Sequence, residues 1–468
     1  MRLVAIGLRF ATLVAFLAVA AATYVRAADA TSSSPASVAT AVPSPGEDPP
    51  AAAAPTVILL AWDGVRHDYP ERASLVGLAR MEREGARAKC LVPPYPSSTF
   101  PSMVTLATGT YPDRHGIVDN HFYDRKRGAF SREPDPSWIE AEPLWIAAER
   151  QGVPSAVYFW VGSEADWHGR GARHRKAPFD SDVQEDVKVD EILGWLDLPV
   201  AERPRLVMAW WHGTDSVGHM RGPDHEDIAS QLVAQDRELE RLLAGIDARG
   251  LWDRTTVLVV SDHGMTRVDE EVPVAETLRS VGIEAEVTPG AAIAHVFLAD
   301  PTQVDAAARA LAALEGVTVF RRDGVPAELR FAHPQRTGDL VLTVAPPRTF
   351  TMPGLAAAGK LLGWERGMHG FHPSLPDMGG VFYAMGRGIP SGVRIDEARA
   401  IDVAPTAAAL LGIDPPLQAE GRPIRFGAEA EEPSATSAVQ PMPSPSETVE
   451  SGAARERPSA VGGSPSRT

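Results

Sequence analysis

Three apolar runs along the chain stop abruptly at polar clusters. Residues 57–62 read Val-Ile-Leu-Leu-Ala-Trp and end at Asp63. Residues 206–211 read Leu-Val-Met-Ala-Trp-Trp and lead towards Asp215, and 256–261 read Thr-Val-Leu-Val-Val-Ser and meet Asp262 and His263. Short continuous apolar runs of this kind are the pattern of strands buried on both faces, typical of parallel sheets. Between them the period lengthens to that of amphipathic helices, at 144–151 and at 227–247, where Ile228, Leu232, Leu239, Leu242 and Leu243 share one face. The alternation predicts an α/β fold with a mostly parallel central sheet flanked by helices. Open sheets of this class bind ligands at the carboxyl ends of their strands. The acidic strand ends are therefore candidates for one shared site.

Two stretches interrupt the alternation. Residues 153–200 contain Trp160, Trp167, His168 and several arginines but few apolar runs, and read as a cap segment or a surface excursion. Residues 284–350 have short β-like runs at 294–298 and 340–344 and read as a smaller α+β lobe. At the amino end, Arg2 and Arg9 precede an apolar run at 11–22 and then Val25-Arg26-Ala27, the layout of a secretory signal (1–27) cleaved after Ala27 or, second choice, Ala30. The apolar run is shorter than the ~20 residues of a membrane crossing, so no stable span is expected after cleavage. Residues 28–55 and 428–468, rich in Ala, Ser, Pro and Glu, read as a linker and a tail without a core, leaving 56–427 as the catalytic domain.

The formal net charge of −16 over 468 residues argues against nucleic acid as a specific partner, because neutralising phosphates takes a basic face. A small anionic substrate would need local help, and bound cations are one source of it. Cys90 is the single cysteine, so no disulfide closes within the chain. With the signal-like start, this points to a periplasmic or secreted bacterial protein.

Asp215 and His219, four residues apart, can face one cation on a helical turn. Taken singly, each of Asp63, Asp215, His219, Asp262, His263 and the pair His369/His372 is more economically a solvated loop residue. Together, at successive strand ends, they form a mixed nitrogen and oxygen ligand set matched to zinc and large enough for two ions. Two such ions can clamp an in-line displacement at phosphorus.

The chain resembles the bacterial nucleotide pyrophosphatase/phosphodiesterase family of the alkaline phosphatase superfamily. The resemblance runs from about 57 to 412 through eight ordered matches. They are VILLAWDG (57–64), PYPSSTFPSMVTLATGTYPDRHGIVDN (94–120), FWVGSEA (159–165), LGWLDLPVAERPR (193–205), DSVGHMRGP (215–223), VSDHGM (260–265), His369-Gly370, and Asp377-Met378 before the apolar run at 380–384. It implies an alkaline-phosphatase-like fold and a two-zinc hydrolase of nucleotide phosphodiester or pyrophosphate bonds, working through a covalent phosphothreonine. By the same resemblance Thr99 is the nucleophile. One zinc is held by Asp215, His219 and His369, the other by Asp63, Asp262, His263 and the Thr99 oxygen. Asn120 contacts a phosphoryl oxygen, and Phe100 and Trp210 wall the substrate. The match departs at Gly213, where many members carry an acid, and at His372, where many carry aspartate.

Elementary chemistry is compatible with this. A threonine hydroxyl is a weak nucleophile needing a base or a cation, and Thr99 precedes Phe100-Pro101 where a helix can start, with free amides suited to an anion. Without the metal-ligand set, Thr99 would read as a capping residue. The rival readings are a phosphomonoesterase, a phosphonate hydrolase or a choline-type lipid head-group diesterase of the same superfamily, and a binding protein without activity. A monoesterase wants a cation beside the nucleophile, and Thr99-Phe100-Pro101 supplies none.

Overall fold

A computed structural model of the protein describes residues 54–350 and 366–427. The signal-like segment, nearly all of the linker, and the tail lie outside the described residues.

The central sheet has nine strands. In spatial order eight of them are Val393–Ile395, Ala86–Val92, Gly380–Gly386, Thr255–Val260, Thr56–Trp62, Leu206–Trp211, Ser155–Tyr158 and His174–Lys176, and the short Ala398–Arg399 also pairs with Ala86–Val92. Every pairing is parallel except the two made by Gly380–Gly386. The three apolar runs of the sequence lie side by side at its centre, every residue of Thr56–Trp62, Leu206–Trp211 and Thr255–Val260 buried. Burying such side chains, at about 1.5–3 kcal/mol each, is what makes this the stable heart of the domain. The alternation of apolar and polar residues is missing because both faces are covered by helices.

Helices Val76–Glu84 and Glu185–Leu196 pack on the long helix Glu226–Ala248, which buries Ile228, Leu232, Leu239, Leu242, Leu243 and Ile246. A second group, Thr99–Thr108, Leu144–Arg150 and Val403–Leu411, packs together. Residues 153–200, expected as a cap or an excursion, instead carry the two outer strands Ser155–Tyr158 and His174–Lys176 and helix Glu185–Leu196. Those strands have four and three residues, too few for a hydrophobic period to register.

The 284–350 region forms a separate antiparallel sheet, ordered Ala285–Pro289, Ile293–Leu298, Leu340–Thr343, Thr318–Arg321, with helix Val304–Ala312. Buried Arg336 ties it to the body, donating from Nε to Asp124 Oδ2 at 3.0 Å and from Nη2 to Glu140 Oε1 at 2.7 Å. Asp124 ends the first strand of a hairpin, His121–Asp124 with Gly128–Ser131, that begins directly after Asn120.

The topology sends every candidate to one edge. Parallel strands Thr56–Trp62, Leu206–Trp211, Thr255–Val260 and Ala86–Val92 all end there, delivering Asp63, Asp215, Asp262-His263 and the loop to Thr99. Gly380–Gly386 runs the other way, so the segment carrying His369 enters from the same side.

Candidate active site

The Asp63 strand turns into the site through Gly64, at φ 68°, where a Cβ would lie 2.8 Å from the Asp215 Cα. Only glycine lets the two acid-bearing segments approach this closely. Gly64 N–H and His263 N–H both donate to Asp262 Oδ1, at 3.1 and 2.9 Å. That leaves Asp262 Oδ2 pointing at His263 Nε2, 3.2 Å away. Trp210 Nε1 donates to Asp63 Oδ2 at 3.0 Å, leaving Asp63 Oδ1 at 3.4 Å from the same imidazole nitrogen.

The three histidines share one device. His219, His263 and His369 each set Nδ1 against a backbone carbonyl, of Gly367 (3.0 Å), Gly264 (2.9 Å) and Ser97 (3.1 Å) respectively. A carbonyl only accepts, so Nδ1 carries the proton and the Nε2 lone pair turns inward. His219 Nε2 lies 3.3 Å and His369 Nε2 3.7 Å from Asp215 Oδ1. The imidazoles run from His263 through His369, with centroids 3.6 Å apart, to His219, 5.1 Å further.

These atoms fall into two groups whose members lie within 4.8 Å of one another: Asp63, Asp262 and His263, and Asp215, His263 and His369. His263 thus stands between the two, and His219 joins the second through Asp215. Among the described residues Asp63 Oδ1, Asp215 Oδ1 and Asp262 Oδ2 are buried with no hydrogen-bond partner. Burying carboxylate oxygens uncompensated is expensive, and these three converge on inward lone pairs, which also cannot donate. The donor set fits divalent cations, and among the described residues no hydrogen-bond donor satisfies these oxygens.

The electrostatics of Asp63 and Asp262 agree with this. Burial, then the charges of Asp262 and Asp215, hold Asp63 well above the usual carboxylate range. Burial raises Asp262 as well. For Asp215 burial is outweighed by His219, and its carboxyl stays below the ordinary value. Burial, and then His263, push His369 well below an ordinary imidazole.

Helix Thr99–Thr108 starts at the edge of this cluster, its nucleophile candidate 3.2 Å from His263 Nε2 through Oγ1. Phe100 N–H donates to Asn120 Oδ1 at 2.8 Å, and Ser102 N–H to Ser98 O. Pro101 has no N–H, so Thr99 N–H is the donor of this first turn left over for an anion. With Oδ1 engaged, Asn120 has its Nδ2 amide to offer. Ser97 Oγ donates to Phe371 O at 2.8 Å, fastening the nucleophile loop to the His369 segment, while Gly370 N–H donates back to Ser97 O. Burial pushes Asp119, next to Asn120, up to about 6 although it accepts from Asn120 N–H and the Ser98 hydroxyl.

Phe100 is half-buried, edge-on to Phe130 with centroids 6.0 Å apart. Trp210 departs from expectation: the residue is only 8% exposed, its indole is bonded to Asp63, and its ring stacks 4.6 Å from that of Phe179, which is 37% exposed. The aromatic surface presented there belongs to Phe179. Nothing in its surroundings, Pro178-Phe179-Asp180, marks it, because the pairing with Trp210 spans 31 residues. His372 takes Ser374 N–H on Nδ1 and packs edge-on to Tyr95, in neither metal group.

The sequence profile of the family described as "Type I phosphodiesterase / nucleotide pyrophosphatase" matches residues 57–372. Among curated proteins, an uncharacterized pyrophosphatase/phosphodiesterase of Schizosaccharomyces pombe is 37% identical over 218 residues, 45% of this chain and 44% of that protein. A venom phosphodiesterase of Crotalus durissus collilineatus and ectonucleotide pyrophosphatase/phosphodiesterase family member 3 of Bos taurus are each 34% identical over 45% of this chain. The aligned part spans only 26% and 25% of those two proteins. Human ectonucleotide pyrophosphatase/phosphodiesterase 5 shares the fold, with a TM-score of 0.70 and 24% identity, over 77% of this chain and 96% of that one. The murine form, at 22% identity, has been solved as an inactive variant in complex with AMP.

Proposed function

The chain belongs to the type I phosphodiesterase/nucleotide pyrophosphatase family, and from that premise we propose that it hydrolyses phosphodiester and pyrophosphate bonds of nucleotides with two zinc ions. The observation that carries the proposal is the convergence of three unpartnered carboxylate oxygens and the inward histidine nitrogens beside the Thr99 hydroxyl. Asp63, Asp262, His263 and Thr99 would hold one ion, and Asp215, His219 and His369 the other. When bound, the cations would favour the threonine alkoxide and neutralise charge on the phosphoryl group. Thr99 Oγ1 attacks phosphorus in line, forming a phosphothreonine diester as the bond to the departing oxygen breaks. Water then enters from the vacated side, the Thr99–phosphorus bond breaks, and a nucleoside monophosphate leaves. Thr99 N–H and the Asn120 amide hold the phosphoryl oxygens throughout. Phe100 and Phe179 supply aromatic surface for a nucleobase, in keeping with the AMP found in the murine relative.

The signal-like start and the lone cysteine support a periplasmic or secreted location, and no helix among the described residues is long and apolar enough to cross a membrane. The test pairs a p-nitrophenyl nucleotide diester with p-nitrophenyl phosphate. Zinc-loaded protein is expected to prefer the diester, to lose activity in EDTA and regain it with zinc, and to lose about a thousandfold or more in kcat on Thr99→Ala. Equal or better hydrolysis of the monoester, or an active Thr99→Ala variant, overturns the reading.

A further inference from the structure

Thr99 stands between two cross-links to the segment that carries Asn120. After it in the chain, Phe100 N–H donates to Asn120 Oδ1 at 2.8 Å. Before it, the Ser98 hydroxyl donates to the carboxylate of Asp119. Asp119 Oδ1 also accepts Asn120 N–H at 2.7 Å. One buried carboxylate therefore holds both the residue before the nucleophile and the backbone of the residue whose amide is to meet the phosphoryl group.

The smaller lobe closes this arrangement. Its turn between strands Ala285–Pro289 and Ile293–Leu298 lays Gly290 against Asp119, where a Cβ would overlap Oδ2 and lie 3.0 Å from Cγ. Gly290 is outside the left-handed region, so space and not backbone conformation demands the glycine. The turn is braced in its own right: Gly290 N–H donates to Ile293 O at 2.7 Å, and Ala291 O accepts from Phe350 N–H at 2.9 Å and Thr349 Oγ1 at 2.7 Å. Gly370, next to His369, reaches the same turn from another segment, since a Cβ there would lie 3.0 Å from Ser98 Oγ and 3.3 Å from the Ala291 Cβ. The segments of Thr99, Asn120 and His369 thus meet at one turn of the lobe.

A carboxylate only accepts, and burying one is costly unless its oxygens meet donors. With the Gly290 wall in place, the Asp119 side chain is confined to the position that serves Ser98 and Asn120. A misplacement of about 1 Å between reacting and stabilising groups can cost about 100-fold in rate. The wall therefore bears on the chemistry without touching it.

We propose that Asp119 is a positioning residue, confined by the Gly290 turn of the smaller lobe, that sets the Asn120 amide in register with the Thr99 nucleophile. The proposal rests on the phosphodiesterase reading above. It gives the lobe, which contributes no member of either ligand group, a part in the reaction.

The test is a double-mutant cycle on kcat for the p-nitrophenyl nucleotide diester, with Asn120→Ala as the second change. Asp119→Asn keeps the shape but exchanges an acceptor oxygen for a donor, and Gly290→Ala leaves Asp119 intact but crowds it. Each alone is expected to lower kcat about tenfold or more with KM changed less than about threefold, and to lose no more than about a further twofold once Asn120 is alanine. Gly290→Ala should also add nothing to Asp119→Ala, whose side chain it would no longer meet. Residues with a merely structural role would give losses that multiply with that of Asn120→Ala. Such multiplying losses, or wild-type kcat in Asp119→Asn, overturn the proposal while leaving the diesterase intact, and Gly290→Ala decides it in the same way if Asp119→Asn does not fold. If the wild type does not cleave the diester, the phosphodiesterase reading falls and this inference with it.

Discussion

Ser97, Ser98 and Thr99 carry adjacent hydroxyls that part company in space. Ser97 staples two loops, Ser98 donates to Asp119, and Thr99 faces His263. Asn120 serves two ends at once, its Oδ1 satisfying an orphan amide of the helix that begins at Thr99 and its Nδ2 left for substrate. The two duties separate by mutation. Asn120→Asp keeps the acceptor and loses the donor, so it should fold with a Tm close to the wild type yet lose about 100- to 1,000-fold in kcat. Asn120→Ala should lose the same activity and, in addition, about 1 kcal/mol of stability, the usual value of a helix cap. Thermal melts beside diester kinetics check this. Equal melting of the two variants would show that the Phe100 contact contributes nothing as a cap.

At the scale of elements, the site depends on how closely strand ends can converge, and Gly64 sets that approach. A methyl group there must displace the Asp215 backbone and adopt a left-handed φ. Gly64→Ala is expected to cost about 1–3 kcal/mol and to weaken zinc binding, read by denaturation with and without metal and by competition with a chelator. This convergence also explains what was legible in advance. Asp63, Asp215, Asp262 and His263 were readable because each follows an apolar run long enough to declare a buried strand. Thr99 and Asn120 follow no such run, and their proposed roles came from the resemblance alone; His369 entered the ligand set with His372 as a histidine pair, and the resemblance singled it out. The strands at Ser155–Tyr158 and His174–Lys176 are too short and, in the second case, too polar to show a period. The exchange of Trp210 for Phe179 at the surface, and the place of His263 between the two ligand groups, are settled by contacts far apart in sequence. No local pattern encodes them.

Across the whole molecule, the body and the smaller lobe each enclose a neutral histidine outside the two candidate ligand groups. His115 accepts Ile117 N–H on Nδ1 and bonds Thr105 Oγ1 through Nε2, joining the Thr99 helix to the loop that leads to Asn120. Burial, and then Arg336, push it down to about 3. In the lobe, His295 accepts Gly338 N–H, and burial pushes it down to about 4. Both folded values lie below 6.5, so between 6.5 and about 4 the unfolded chain binds more protons than the folded one. Stability therefore rises with pH through this window, is fully present above about 6.5, and is lost as the solution is acidified. Between pH 7.5 and 4.5 each histidine should contribute up to about 2.5 kcal/mol of acid destabilisation. Urea unfolding of the zinc-loaded protein across this range includes other groups, such as Asp119, whose raised value acts in the opposite sense. The difference between wild type and a His115→Gln/His295→Gln double variant isolates the two histidines, since glutamine has no proton to gain. The variant should lose less stability on acidification, and parallel pH profiles would show that neither imidazole remains neutral in the folded state.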